Sequence, residues 1–203
     1  MELKYLSIRG ILVSMSYIET PINNADLSNS AIAKRLIKKA KSGNLFHFYL
    51  FYGPKGSGKN YIAHLIAGAM LSEDEKESTS RNNHYYKQTV IDHPDIITIN
   101  TGVSIGINAI NNIKKKASLK PTEAKRKIII INDASFLTKE AANAFLKFLE
   151  EPNKNVIVIL ITTFKEKILP TILSRSLPIY FKPASKTEIK NYLKSVADRK
   201  SVV

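Results

Sequence analysis

Leu50-Phe51-Tyr52-Gly53-Pro54-Lys55-Gly56-Ser57-Gly58-Lys59-Asn60 is an apolar run that enters a glycine-rich turn, with a helical pattern following it. The spacing G-x-x-x-x-G-K, from Gly53 through Gly58 to Lys59, lets backbone N–H groups curl around a di- or triphosphate, with Lys59 as a point charge near the β and γ oxygens. A helix opening at Lys59 adds its positive dipole end. Both flanks agree with this reading. His47 to Tyr52 is aromatic and apolar, and Ile62, Leu65, Ile66, Ala69 and Met70 recur at helical spacing. Gly53, Pro54, Lys55, Gly56, Ser57, Gly58, Lys59 and Asn60 are therefore the first nucleotide-binding candidates. Asn60 is the discordant one. It stands where such loops carry Ser or Thr, whose hydroxyl ligates the Mg²⁺ bridging the phosphates, so the loop reads as inherited and not fully maintained.

Downstream, Ile128 to Ile131 is an unbroken β-branched run of the kind buried on both faces of a parallel sheet. A nucleotide-hydrolysing site needs an acid at the end of such a strand for the metal, and commonly a second acid to polarise water. Here Asn132-Asp133 supplies one. Whichever of the two places Asp133 fills, the other falls to Asn132 or Ala134. Thr138 is a helix cap before Ala142, Phe145, Leu146 and Leu149 at helical spacing, ending at Glu150-Glu151-Pro152. Val156 to Ile161 is another apolar strand, and Thr163 at its carboxyl end is a candidate γ-phosphate sensor. Ile168 to Leu173 reads as a short helix broken by Pro170. Ile179 to Phe181 reads as a last strand, and Ser185 to Val203 as the start of a further helical unit.

Upstream, Asp26 to Ser42 is an amphipathic helix with Ile32, Leu36 and Ile37 inside, Lys34, Arg35, Lys38, Lys39 and Lys41 outside, and Gly43 as its stop. Residues 1–24 could be helix or strand. Ser72 to Gln88 lacks periodicity and reads as an exposed excursion. A strand over Asp95 to Ile99 and a helix over Ile105 to Ser118, ended by Pro121, complete an alternation of strands and helices. That alternation predicts an α/β fold: a parallel sheet with helices on both faces, with ligands at the carboxyl ends of the strands. The expected division is an N-terminal segment 1–25, a phosphate-loop domain 26–183 and the start of a helical lid over 184–203.

The 203 residues suffice for one large domain, and no apolar run approaches the roughly 20 residues of a membrane-spanning helix. A cytoplasmic protein without membrane contact is expected. With no cysteine and four scattered histidines, neither zinc nor any other metal site is expected. The formal net charge of +14 admits two readings, a DNA- or RNA-facing surface and a solvated lysine face written by an AT-rich genome. The sharpest cluster is Lys114, Lys115 and Lys116 with Lys120 and Lys125-Arg126-Lys127, of which the first three are the DNA-facing candidates.

The stretches Asn44 to Lys59, His93-Pro94-Asp95, Ser118 to Pro121, Thr138 to Pro152 and Leu169 to Ser176 together resemble the AAA+ ATPase domain of bacterial clamp loaders, most closely its delta-prime type in DNA polymerase III. The resemblance covers most of residues 27–182. It implies the AAA+ P-loop fold, and by position it makes Arg175 a trans-acting arginine finger for a neighbouring subunit's nucleotide site. The plainer alternative is an arginine paired with a local carboxylate. A planar, permanently charged fork suits the finger role, worth ~10³ to 10⁵ in rate in such systems. The resemblance also places Asn60 on the metal-binding hydroxyl, Asn132 on the strand aspartate and Asp133 on the catalytic glutamate. Losing one well-placed catalytic group typically costs ~3 kcal/mol of barrier or more. The expectation is therefore an ATPase-silent stator that helps load the sliding clamp onto primed DNA in DNA replication, with gamma/tau ATPase subunits, a delta subunit and the clamp as partners. No cofactor is required for that role, and ATP binding without hydrolysis stays open. Many relatives carry a four-cysteine zinc module and a carboxyl-terminal collar, and neither is seen in this sequence. Two alternatives remain: an active gamma/tau-like ATPase, and a basic DNA-binding module with a relic loop.

Overall fold

The computed structural model describes residues 6–8, 11–13, 29–71, 93–100, 102–151 and 153–187. The excursion over Ser72 to Gln88 and nearly all of the helical unit after Ser185 lie outside the described residues. Leu6–Ile8 (β1) and Ile11–Val13 (β2) pair antiparallel, so these two short segments are strands. Then follow Ser30–Lys41 (α1), Phe48–Tyr52 (β3), Lys59–Leu71 (α2), Ile96–Ile99 (β4), Ile107–Ser118 (α3) and Lys127–Ile131 (β5). Lys139–Glu150 (α4), Val156–Thr162 (β6), Pro170–Leu173 (α5) and Leu177–Tyr180 (β7) complete the order.

The main sheet has five strands in the order β4-β5-β6-β3-β7, and every pairing within it is parallel. Strand periodicity divides its side chains between two cores. Phe48, Leu50, Ile129, Ile131, Val158 and Leu160 face Ile110 and Ile113 of α3 and Ala142, Phe145 and Leu149 of α4. Tyr49, Phe51, Ile128, Ile130, Ile157 and Ile159 face Leu36 of α1 and Ile62 and Ile66 of α2. Each of these large side chains contributes about 1.5–3 kcal/mol through burial. β5 and β6 are buried along their whole length, whereas β7 at the sheet edge is mostly exposed. The unbroken Ile128–Ile131 run follows from two covered faces.

Four local expectations need correction. Pro170 begins α5 at its first turn instead of breaking a helix, because its missing N–H costs nothing there. In α4, Ala141 is buried and Leu146 only half-buried. The last strand starts at Leu177 and ends at Tyr180, with Phe181 packed fully behind it. Lys127 does not join a surface cluster: it is 4% exposed, and its Nζ donates to the Lys116 carbonyl at 2.8 Å, closing the end of α3.

A buried carboxylate ties the α3–β5 connection to the sheet. Asp95 Oδ2 accepts N–H bonds from Thr122 at 3.0 Å, Glu123 at 2.8 Å and Ala124 at 2.9 Å, and Oδ1 takes Thr122 again at 2.8 Å. Burial alone would raise its pKa. These bonds, with His93 nearby, outweigh that and hold the carboxyl below its ordinary value. His93 Nδ1 accepts the Asp95 N–H at 3.1 Å, and its Nε2 lies 3.2 Å from Glu123 Oε2. Among the described residues no helix is long and apolar enough to cross a membrane.

Candidate nucleotide site

The turn between β3 and α2 has the shape that its glycines require. Gly53, Gly56 and Gly58 have φ of 146°, 79° and 82°. At Gly53 the reason is steric as well, since a Cβ there would lie 2.2 Å from the Phe181 carbonyl oxygen. β3 and the end of β7 are pinned together at this point by the Phe181 N–H donating to the Tyr52 carbonyl at 2.8 Å. Pro54 and Gly58 are half-buried, Lys55 and Gly56 exposed, and Ser57 buried. The loop delivers the amino end of α2, which opens at Lys59.

Lys59 is 7% exposed and turned into its own loop. Its Nζ donates to the Gly53 carbonyl at 2.8 Å, the Pro54 carbonyl at 2.7 Å and Ser57 Oγ at 3.1 Å. Burial lowers its pKa, and the charge of Asp133 works against that shift. Asp133 is exposed and holds a left-handed backbone, φ 50° and ψ 49°, at the turn after β5. These parts fit a phosphate chain: positive-φ glycines, a helix amino end and a buried ammonium. Lys59 would hold the phosphates with the backbone N–H groups of the loop.

The metal-binding positions fit less well. The Asn60 side chain is exposed, and the residue's backbone carbonyl accepts from His64 Nδ1 at 2.9 Å. Asn132 is buried, with its backbone N–H on the Ile99 carbonyl at 3.0 Å, and its side-chain Nδ2 donates to Asn100 Oδ1. Asn132 thus puts a neutral amide where a metal-holding strand would carry an acid. Thr162 is fully buried, and its hydroxyl bonds the N–H and carbonyl of Phe164 at 3.1 and 3.2 Å, which leaves the half-buried Thr163 as the available hydroxyl at that strand end. Among the described residues no group of three or more His, Cys, Asp or Glu could hold a metal ion. The donors around Asn60 and Asn132 do not fit a Mg²⁺ ion.

Sequence reasoning missed Asn29, which is 4% exposed at the start of α1. Its Nδ2 donates to the Ser57 and Lys182 carbonyls, and its Oδ1 accepts the Lys182 N–H, each at 3.0 Å. One amide thus joins the phosphate loop to the chain beyond β7. Nothing in the local sequence marks it, because its partners lie 28 and 153 residues away.

Arg175, in the turn after α5, lies away from this chain's own loop network. Its Nη2 donates to Glu150 Oε1 at 2.6 Å, and its Nη1 to the Thr171 carbonyl at 3.0 Å, with both side chains of the ion pair about two-fifths exposed. Glu150 is the other residue that sequence reasoning passed over, although its place at the end of α4 was visible. On α3, Lys114 is half-buried and Lys115 and Lys116 are exposed, on the sheet face opposite α1.

A family model described as DNA polymerase III, delta subunit, matches residues 28–185. The DNA polymerase III subunit delta' of Bacillus subtilis (strain 168) is 34% identical over 164 residues, 80% of this chain and 50% of that protein. The tau subunit of the same organism is 31% identical over 169 residues, 82% of this chain and 30% of that one. A solved gamma-subunit-related protein from Thermotoga maritima has a TM-score of 0.59 at 26% identity, over 81% of this chain and 49% of that one. A RuvB variant from the same organism shares the fold at TM-score 0.61 and 18% identity, over 87% and 52%. The chain spans half or less of the length of the curated relatives it matches.

Proposed function

Because the chain belongs to the DNA polymerase III delta-subunit family, a clamp-loader family with the AAA+ fold, we propose that it is a delta-prime-like stator. In this reading it turns over no ATP itself, presents Arg175 to the nucleotide site of an adjacent gamma/tau-type subunit, and helps load the sliding clamp onto primed DNA beside a delta subunit. The observation that carries the reading is the mismatch within one site: positive-φ glycines and a buried Lys59 from Gly53 to Lys59, next to Asn132, a neutral amide where the strand acid would stand. Binding phosphate needs only the cradle. Cleaving it needs the metal and water positions as well.

Arg175 supports the second half of the proposal. Its ion pair with Glu150 is solvent-exposed, and such pairs contribute about 0–1 kcal/mol, so a neighbour's phosphates can draw the guanidinium away at little cost. The gamma/tau-like alternative rests on the charge of Asp133 acting on Lys59 and predicts turnover by the isolated chain.

The test is ATP turnover by this protein alone, and by a cognate motor subunit reconstituted with wild type or with Arg175→Ala. The proposal expects silence alone and a loss of at least about tenfold in the partner's turnover with the alanine variant. Turnover by the isolated chain that Lys59→Ala abolishes, with no effect of Arg175→Ala on the partner, makes it a motor subunit instead.

A further inference from the structure

α1 carries Lys34, Arg35, Lys38, Lys39 and Lys41 and no acidic residue between Ser30 and Lys41. All five cations are exposed. At 100° per residue Lys34, Lys38 and Lys41 fall in one row, with Arg35 and Lys39 in a second row beside it, and the rows run for about 10 Å along the axis. Among the described residues Lys34, Arg35, Lys38 and Lys39 have no ion pair. Cations in the last turn gain from the helix dipole, but Lys34 and Arg35 lie too early for that. The pairs Lys34/Lys38 and Arg35/Lys39 set like charges four residues apart, an unfavourable spacing. A general lysine bias does not produce this pattern on every helix: α4, of equal length, mixes Lys139 and Lys147 with Glu140 and Glu150.

A second feature lies at the carboxyl end of the same helix. The Asn44 N–H bonds the Lys39 carbonyl at 2.9 Å, and Gly43, at φ 70°, turns the chain toward β3. Just beyond, the Phe46 ring is 42% exposed. The His47 ring lies tilted by 42° to it with centroids 4.3 Å apart and Tyr49 meets it edge-on at 6.3 Å, while the Phe46 N–H donates to the Tyr49 hydroxyl at 2.9 Å. A held, partly exposed aromatic ring just past the end of a row of cations is the arrangement on which single strands stack bases and neutralise phosphates.

We propose that the exposed face of α1 together with the Phe46 ring binds single-stranded nucleic acid, the cations taking phosphates and the ring taking a base. The ring end lies at the amino end of β3, opposite the phosphate loop, and α1 covers the sheet face opposite Lys114, Lys115 and Lys116. The surface is thus separate from the phosphate loop and from Lys114, Lys115 and Lys116, while the turn that carries Arg175 lies at the same sheet edge as Phe46, since Leu177 pairs with Tyr49; the proposal does not depend on the stator reading.

The experiment is fluorescence anisotropy of the full chain with a labelled oligothymidine of about 15 nucleotides, titrated across salt concentration. Replacing Lys34, Lys38 and Lys39 together by Gln lowers the slope of log K against log salt by about 2, at ~0.7 per single-strand phosphate. Phe46→Ala weakens binding by about 5- to 150-fold and leaves the slope unchanged. Phe46→Leu, which keeps apolar packing against Tyr49 but lacks a stacking face, weakens it as well, and unchanged circular dichroism certifies each variant as folded. An unchanged slope in the triple variant, or unchanged affinity in both Phe46 variants, overturns the proposal. So does competition by polyglutamate as strong as by unlabelled oligothymidine, which assigns the face to an acidic peptide, or loss of all binding on replacing Lys114, Lys115 and Lys116 by Gln.

Discussion

Replacing Asp95 by Asn isolates the charge of the one buried carboxylate that holds the 122–124 segment. The substitution keeps size and one acceptor. With the new amide oxygen in the place of Oδ2, the side chain still faces the N–H groups of Thr122, Glu123 and Ala124, but its NH₂ then opposes the Thr122 N–H now 2.8 Å from Oδ1. Hydrogen bonds to a charged acceptor contribute about 1.5–3 kcal/mol each against about 0.5–1.5 for neutral ones. Three bonds weakened by roughly 1 kcal/mol each give a loss of about 3 kcal/mol near neutral pH, or about 6–12 °C in Tm for a chain of this length. The carboxyl is held below its ordinary 3.8 in the folded state. Its stabilisation is therefore complete above 3.8 and disappears as pH falls through the lower folded value. Urea unfolding of wild type and Asp95→Asn near neutrality and at low pH reads both effects. His93 and Glu123 are common to the two proteins, so the difference between them belongs to Asp95. The gap must narrow as the acid limb is entered. A gap below about 1 kcal/mol near neutrality, or one that stays constant with pH, refutes the assignment of the anchoring to the carboxylate charge.

Gly53→Ala drives a methyl group against the Phe181 carbonyl, at 2.2 Å before relaxation, and is expected to cost at least about 2 kcal/mol in chemical unfolding and to weaken nucleotide binding measured by calorimetry. Asn29→Ala strands the Ser57 and Lys182 carbonyls and the Lys182 N–H, a loss of about 2–3 kcal/mol, with faster hydrogen exchange at Lys182 as the local signature. Thr138→Ala removes the hydroxyl that accepts the Ala141 N–H at the start of α4 and should cost about 1 kcal/mol, read as a lower urea midpoint at unchanged m.

Much of the site was legible in sequence because it is built from neighbours. Gly53 to Lys59 is one turn, its glycines are needed for positive φ wherever the turn sits, and the apolar flanks dictate a strand before it and a helix after it. The same holds for Ile128–Ile131 and Val156–Ile161, whose unbroken β-branched composition already requires two covered faces. The absence of a second acid beside Asp133 was visible for the same reason. What the chain order could not supply was pairing across distance. Only the fold brings Asn29 to Ser57 and Lys182, Asn132 to Asn100, Arg175 to Glu150, and Lys127 to the end of α3. A charged or amide side chain has no periodicity of its own, so its partner is chosen by whichever backbone or carboxylate the packed layers carry within about 3 Å. The order of residues determined which chemical groups are present and on which elements they stand, whereas the sheet order and the two helical layers decided which of those groups meet.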